Sequence, residues 1–307
     1  MNKELKNWLI LIFLACIWGS SFVLMKRGMT DKITGESVFS SEQVASLRML
    51  LASTVLLPIA VRHFRIVSSF KIFTSLLAVA FLGNFFPAFL FTYAETGISS
   101  GYAGMLNSCT PIFTLIIGAL FFRQKLLKLQ VIGVLLGTVG IVGLVNGVQT
   151  VDTSGSWQHV IAVVTATLFY GTAVNTIKYN LSHIKPYKMT SVAFSFSFIP
   201  ALGLFLYFDT PATISGNEHA GEALLYIGIL GVIGTALAVL VFNYLITRSS
   251  ALFASSVTYF IPIVAVIIGF ADGESISWLQ VVSMIVILGG VFIANVWAKI
   301  GKKRINT

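Results

Sequence analysis

Ten stretches of helical length and almost continuous apolar character recur along the chain, and they restrict its fold more than any motif does. They cover residues 8–27, 41–62, 70–93, 98–121, 128–147, 157–178, 187–208, 222–246, 250–271 and 277–298. About 20 apolar residues cross the hydrocarbon layer of a bilayer as a helix, so each stretch is long enough to be a span. The stretches do not alternate and are about twice the length of a barrel strand, which excludes a membrane β-barrel. Composition agrees. Of 307 residues, 56% are hydrophobic and 10% charged, with mean hydropathy +0.91, whereas a soluble domain carries about 25% charged residues. A water-facing surface cannot be assembled from so few polar side chains. A cytosolic enzyme, a nucleic-acid-binding domain and a disordered chain are therefore excluded. An all-α polytopic membrane protein of ten transmembrane helices, with the lipid bilayer as its solvent, is the class that remains.

The net charge of +9 reads as topology. With both termini cytoplasmic, 16 of the 20 basic residues fall in the tails and in the loops after spans 2, 4, 6 and 8. Lys26, Arg27 and Lys32 lie outside, and Arg48 lies within span 2. Ten of the eleven acidic residues, all but Glu4, then sit in outer loops or at outer span ends. This is the positive-inside pattern, and it makes nucleic acid an unneeded partner. A multi-pass protein of the cell membrane with both termini inside is expected. The apolar run behind Lys3 and Lys6 continues to Met25 with no small-residue cleavage site, so span 1 is expected to be retained. Cys16 and Cys109 stand in apolar runs and read as buried small hydrophobes, not as a disulfide or a zinc site.

The two halves of the sequence match each other at an offset of 151 to 152. Trp18-Gly19-Ser20-Ser21 with Lys26 lies over Tyr170-Gly171-Thr172-Ala173 with Lys178, and Phe91-x-Tyr93 lies over Phe242-x-Tyr244. Ser99, Ala103, Pro111, Ile112 and Gly118 lie over Ser250, Ala254, Pro262, Ile263 and Gly269. Five spans per half is an odd number, so the halves enter the membrane from opposite sides. The expected organisation is two inverted-topology five-helix repeats, residues 1–149 and 150–307. Inverted repeats enclosing a midplane site are the architecture of secondary transporters.

These residues also carry a family resemblance. The chain resembles the ten-helix, EamA-type members of the drug/metabolite transporter superfamily along essentially its whole length. The matching segments are Trp18-Gly-Ser-Ser-Phe22, Ser46-Leu-Arg48-Met-Leu-Leu-Ala52, Ala94-x-x-Gly-Ile-Ser-Ser-Gly-Tyr-Ala103 leading to Thr110-Pro111, and Ser250-Ala-Leu-Phe-Ala-Ser-Ser256 leading to Ile261-Pro262. Gly273-Glu274 ahead of Gln280, and Gly289-Gly290, complete the pattern. The first half departs from it at Phe122-Arg123-Gln124, so Glu274 has no acidic counterpart. The resemblance implies a central cavity between the repeats and the export of amino acids or other small metabolites.

Charges inside hydrocarbon are costly and mark function by default. Arg48 is the deepest, about 10 Å in from Ser41 at 1.5 Å per residue; it either staples helices or meets an anionic group of a substrate. Glu95, at the outer end of span 3, is the acidic residue able to share that depth and is the candidate for coupling. Further candidates for the substrate path are Trp18, Ser21, Asn84, Asn107, Thr110, Tyr170, Asn175, Asn243 and Tyr259, with Thr235 and Thr258 also near mid-span. Asn107, Thr110 and Thr114 share one face of a continuous span 4. Pro111 and Pro262, at matching places inside spans 4 and 9, are expected to kink them and to serve as hinges. Gly133, Gly137 and Gly140 permit close helix approach, within one subunit or in a dimer, leaving a monomer or homodimer. No catalytic residue, metal or cofactor is indicated. His63, His159, His183 and His219 show no spacing for a metal or a triad, so an intramembrane lipid-modifying enzyme is the second reading. A secondary transporter of a small-molecule substrate is the first.

Overall fold

The computed structural model describes residues 3–31, 33–146, 157–271 and 277–294. Among them the chain is helical throughout, apart from one isolated β-bridge between Thr30 and Ser37. Seven helices are long and apolar enough to cross a membrane: Glu4–Met29, Ser41–Ile66, Phe70–Ala94, Ser100–Phe122, Trp157–Leu181, Pro186–Tyr207 and Ala220–Arg248. Three shorter apolar helices, Lys128–Gly143, Ala251–Val264 and Val281–Gly290, stand where spans 5, 9 and 10 are expected. The protein is a polytopic membrane protein. Gly273 and Glu274 lie outside the described residues.

Packing follows the repeat. Span 1 packs on spans 8 and 9, and span 6 packs in the matching way on spans 3 and 4, while span 2 pairs with span 7 and span 5 with span 10. Each half therefore buries its first helix in the other half. Large apolar side chains such as Ile199, 78% exposed, cover the outside, a surface that fits hydrocarbon. Cys16, expected to be buried, also lies on this exposed face.

Between helices in lipid there is little hydrophobic driving force, so close packing of small residues decides adhesion. Spans 5 and 10 meet backbone to backbone. A Cβ at Gly133 would stand 2.5 Å from the Gly290 carbonyl oxygen, and one at Gly290 would stand 2.5 Å from that of Gly133. Gly140 faces Ile287 and Ser283. Both glycines thus pack within one chain.

The span starts are capped by the expected chemistry. Ser40 and Gln43 form a capping box at span 2. Ser99 and Ser250, matched in the repeat, accept the Tyr102 and Phe253 backbone N–H groups.

Two departures from continuous helices shape the centre. Spans 3 and 8 each widen into a π-helical turn, Phe81–Phe85 and Val232–Leu237, 151 residues apart. Asn84 Nδ2 and Thr235 Oγ1 each donate to the carbonyl five residues back, Val79 at 2.8 Å and Leu230 at 2.9 Å, which satisfies carbonyls in the loosened turns. Spans 4 and 9 are broken rather than kinked. Span 4 runs as Ser100–Asn107 and then Thr110–Phe122. Span 9 runs as Ala251–Ser255, a 3-10 turn Ser256–Tyr259, and Ile261–Ala271. Pro111 and Pro262 each occupy the second residue of a new half-helix, where the missing N–H costs no hydrogen bond. The expectation of prolines inside continuous helices is corrected accordingly, while Asn107 and Thr110 still come together, Thr110 Oγ1 donating to Asn107 Oδ1 at 3.3 Å. The two breaks meet: Ser108 Oγ donates to the Thr258 carbonyl at 2.8 Å.

Candidate functional site

A cavity of about 920 Å³, counting the space at its mouth, lies where the broken and widened helices converge. Spans 1, 2, 3 and 4 of the first half and 6, 8 and 9 of the second supply its wall. Eight of the ten path candidates line it: Trp18, Ser21, Arg48, Asn84, Asn107, Thr110, Tyr170 and Asn243. Thr235 and Thr258 line it too.

The other two candidates stand outside the wall. Asn175 is fully buried, and its Nδ2 donates to the Thr114 and Gly171 carbonyls at 2.8 and 2.9 Å. It ties span 6 to span 4. Tyr259, 2% exposed, packs its ring on the Gly137 backbone, whose missing Cβ leaves the room. An inward-pointing polar residue can meet a neighbouring helix as readily as a cavity, and these two do.

The polar wall is mostly self-satisfied. Ser21 Oγ donates to the Ile17 carbonyl at 2.8 Å, Thr110 Oγ1 to that of Asn107 at 2.8 Å, and Asn243 Nδ2 to Thr190 Oγ1 at 2.8 Å. Trp18 Nε1 donates to the Gly234 carbonyl at 3.0 Å, linking span 1 to the π-helical turn of span 8. Arg48 is the exception. Its Nε donates to Thr235 Oγ1 at 2.7 Å and its Nη1 meets Met25 Sδ at 3.6 Å. It forms no ion pair among the described residues. Arg48 thus joins span 2 to span 8 and also lines the cavity.

Glu95 lies off the wall. Both its carboxylate oxygens are buried, and the Ser100 hydroxyl lies within interaction reach of them, though outside ideal hydrogen-bond geometry. The carboxylate is within electrostatic reach of Lys26 and, more weakly, Arg48.

Beyond the cavity wall, aromatic contacts also join helices toward the two membrane faces. Near Glu95, Tyr93 stacks on His159 with centroids 4.7 Å apart, joining spans 3 and 6. At the opposite, basic end, Trp8 meets Phe253 edge-on at 5.0 Å, and Lys178 Nζ donates to the Ile246 and Ser249 carbonyls, tying span 6 to span 8.

Sequence reasoning picked out Trp18 and Tyr170 but missed the phenylalanines of the wall. Phe22, Phe91 and Phe242 line the cavity. A usable signal was present, because Phe91 and Phe242 are matched positions of the repeat, but apolar residues inside apolar spans do not stand out. Among the described residues no three His, Cys, Asp or Glu side chains come together as a metal site.

With this geometry in hand, the chain's relatives are informative. The model of the EamA-like transporter family matches twice, over residues 6–146 and 157–296. An uncharacterised transporter of Archaeoglobus fulgidus is 26% identical, over 94% of this chain and 98% of that one. A probable amino-acid metabolite efflux pump of Salmonella typhimurium is 23% identical, over 94% of each. A crystal structure of a protein 14% identical superposes with TM-score 0.68, covering 96% of this chain and 99% of the other, and so shares the fold.

Proposed function

This chain belongs to the EamA-like transporter family, and we propose that it is a secondary exporter moving small metabolites such as amino acids across the cytoplasmic membrane by alternating access. The observation that carries the reading is a central cavity walled by both halves and flanked in each by the same backbone devices. Residues 1–149 and 150–307 are the two rocking units, and the basic loops face the cytoplasm.

Pro111 and Pro262 begin half-helices that are already interrupted, so the angle at each break can change without losing more backbone hydrogen bonds. That makes them hinges. The eight wall residues among the path candidates meet the solute, while Asn175 and Tyr259 hold helices around it. Glu95 is the coupling candidate, because its carboxylate is buried off the wall and within electrostatic reach of Lys26 and Arg48.

Counterflow in liposomes tests the reading. Purified protein is expected to exchange labelled solute from an amino-acid and metabolite panel. Glu95→Gln is expected to keep that exchange and lose any response to an imposed pH gradient. No exchange for the whole panel, together with turnover of the surrounding lipid, would overturn transport in favour of an intramembrane enzyme.

A further inference from the structure

We infer that the cavity selects organic monoanions, a single carboxylate on an apolar or aromatic body, over amino-acid zwitterions of the same shape. The inference rests on the transport reading above and, within its small metabolites, puts organic acids in place of amino acids.

Charge comes first. Arg48 is the one formally charged residue on the described wall, and the other polar groups there are hydroxyls, amides and an indole. A guanidinium has five N–H donors. One of these goes to Thr235 and another meets only a thioether, a weak acceptor. Two further groups on the wall hold unspent hydrogens. The Tyr170 hydroxyl has no hydrogen-bond partner among the described residues and lies within electrostatic reach of Arg48. Asn107 Nδ2 makes no bond, while its Oδ1 accepts from Thr110 at 3.3 Å. Donors without acceptors beside one fixed cation are what a carboxylate satisfies, through charge-assisted and often bidentate bonds. Glu95 does not do this, being off the wall and more strongly coupled to Lys26.

The body of the solute meets aromatic rings. Phe91 stacks on Tyr170 with centroids 5.9 Å apart and planes at 23°, and Phe22 meets Phe91 edge-on at 5.9 Å. Trp18 meets Phe242 edge-on at 4.9 Å. These faces suit an apolar tail. An α-ammonium group would stand about 2.5 Å from its own carboxylate carbon, and so beside Arg48, with no wall carboxylate to answer it. In a low-dielectric site that like-charge contact is unfavourable, and the same argument disfavours amines.

Counterflow with matched solutes tests the inference. The probes are phenylpyruvate, phenylalanine and phenethylamine, together with 4-methyl-2-oxopentanoate, leucine and isoamylamine. Each 2-oxo acid is expected to exchange at least about tenfold faster than its amino acid, with the amines at background. Arg48→Gln is expected to bring anion exchange to background. Tyr170→Phe keeps the ring and its stack, and is expected to raise the half-saturating anion concentration about 3- to 10-fold at an unchanged melting temperature. If Arg48→Gln does not insert, Tyr170→Phe and the native charge series decide. Amino acids exchanging as fast as the oxo acids, or anion exchange persisting in folded Arg48→Gln, would overturn the selectivity and leave transport standing. Exchange of none of the six would also overturn it, and the broader panel then judges transport separately.

Discussion

Asn84 in span 3 and Thr235 in span 8 occupy the same place in the two halves. Each stands in a π-helical turn, lines the cavity and bonds to the carbonyl five residues behind it. Their surroundings differ. Thr235 also accepts a hydrogen bond from Arg48, whereas Asn84 meets no cation. The residues of span 7 that match Arg48 are Ile199 and Pro200, and Ile199 faces outward. The repeat has therefore duplicated the backbone scaffold and left the charge in one half. Backbone geometry can be copied without penalty, but a second intramembrane guanidinium would add about 2.5–3.5 kcal/mol to insertion and would face the first across one cavity. On the proposed transport reading, such a frame suits rocking, and a single cation on one side of it would give an anionic solute one orientation.

The largest expected effect comes from erasing that difference. Arg48→Ala should lower exchange about 10- to 150-fold, since one charge-assisted site is worth about 1.5–3 kcal/mol, while Pro200→Ala at the matched position should change it less than about 3-fold. Equal losses in the two variants would mean that the halves contribute alike. Next comes Thr235→Val, which removes the oxygen that orients Arg48 and should lower exchange about 10-fold. Asn84→Ala should cost less, because it disturbs only its own turn. Initial rates at matched protein in the membrane decide between them.

A smaller effect probes what the halves share. Pro111→Ala and Pro262→Ala should each shift stability by less than about 1 kcal/mol, since neither proline interrupts a helical ladder. Thermal unfolding in detergent measures this, and a gain of about 3 kcal/mol, the cost of a mid-helix proline, would restore the kinked-span picture.

The smallest lies where the halves touch outside the membrane. Asp31 accepts the backbone N–H groups of Thr34 and Ile33 at 2.8 Å each and faces His219 Nδ1 at 3.4 Å. These contacts, the Thr34 bond foremost, hold its carboxyl below the ordinary 3.8. A depressed carboxyl contributes stability above its unfolded pKa and loses it as pH falls through the folded value. Asp31→Asn should therefore lower the melting temperature slightly at pH 7 and flatten its decline below about pH 4.

Several parts of this arrangement were open to reading from the chain alone. Spans are local hydropathy, and the repeat is a matter of spacing, so Ser99 with Ser250 and Pro111 with Pro262 were visible as pairs. The breaks beside those prolines were not, because residues 98–121 and 250–271 are apolar enough to read as single spans even with Asn107-Ser108 and Ser255-Ser256 inside them. What holds the breaks is the Ser108 bond to the Thr258 carbonyl, 150 residues away. Asn175 makes the same point. Its place within the apolar run of span 6, toward the inner end, says that it points inward, but only the neighbour at Thr114 makes it a tie instead of a wall residue.

The sequence by itself determined the membrane class, the apolar spans and the internal match, because each follows from residue types at short range or at one fixed offset. Tertiary structure alone decided which polar side chains share a wall and which join helices, where spans 4 and 9 break, and that Arg48 meets Thr235 and no carboxylate. Those outcomes depend on which helices become neighbours, and in a bundle whose spans are all apolar the hydropathy pattern is nearly the same for every arrangement of neighbours.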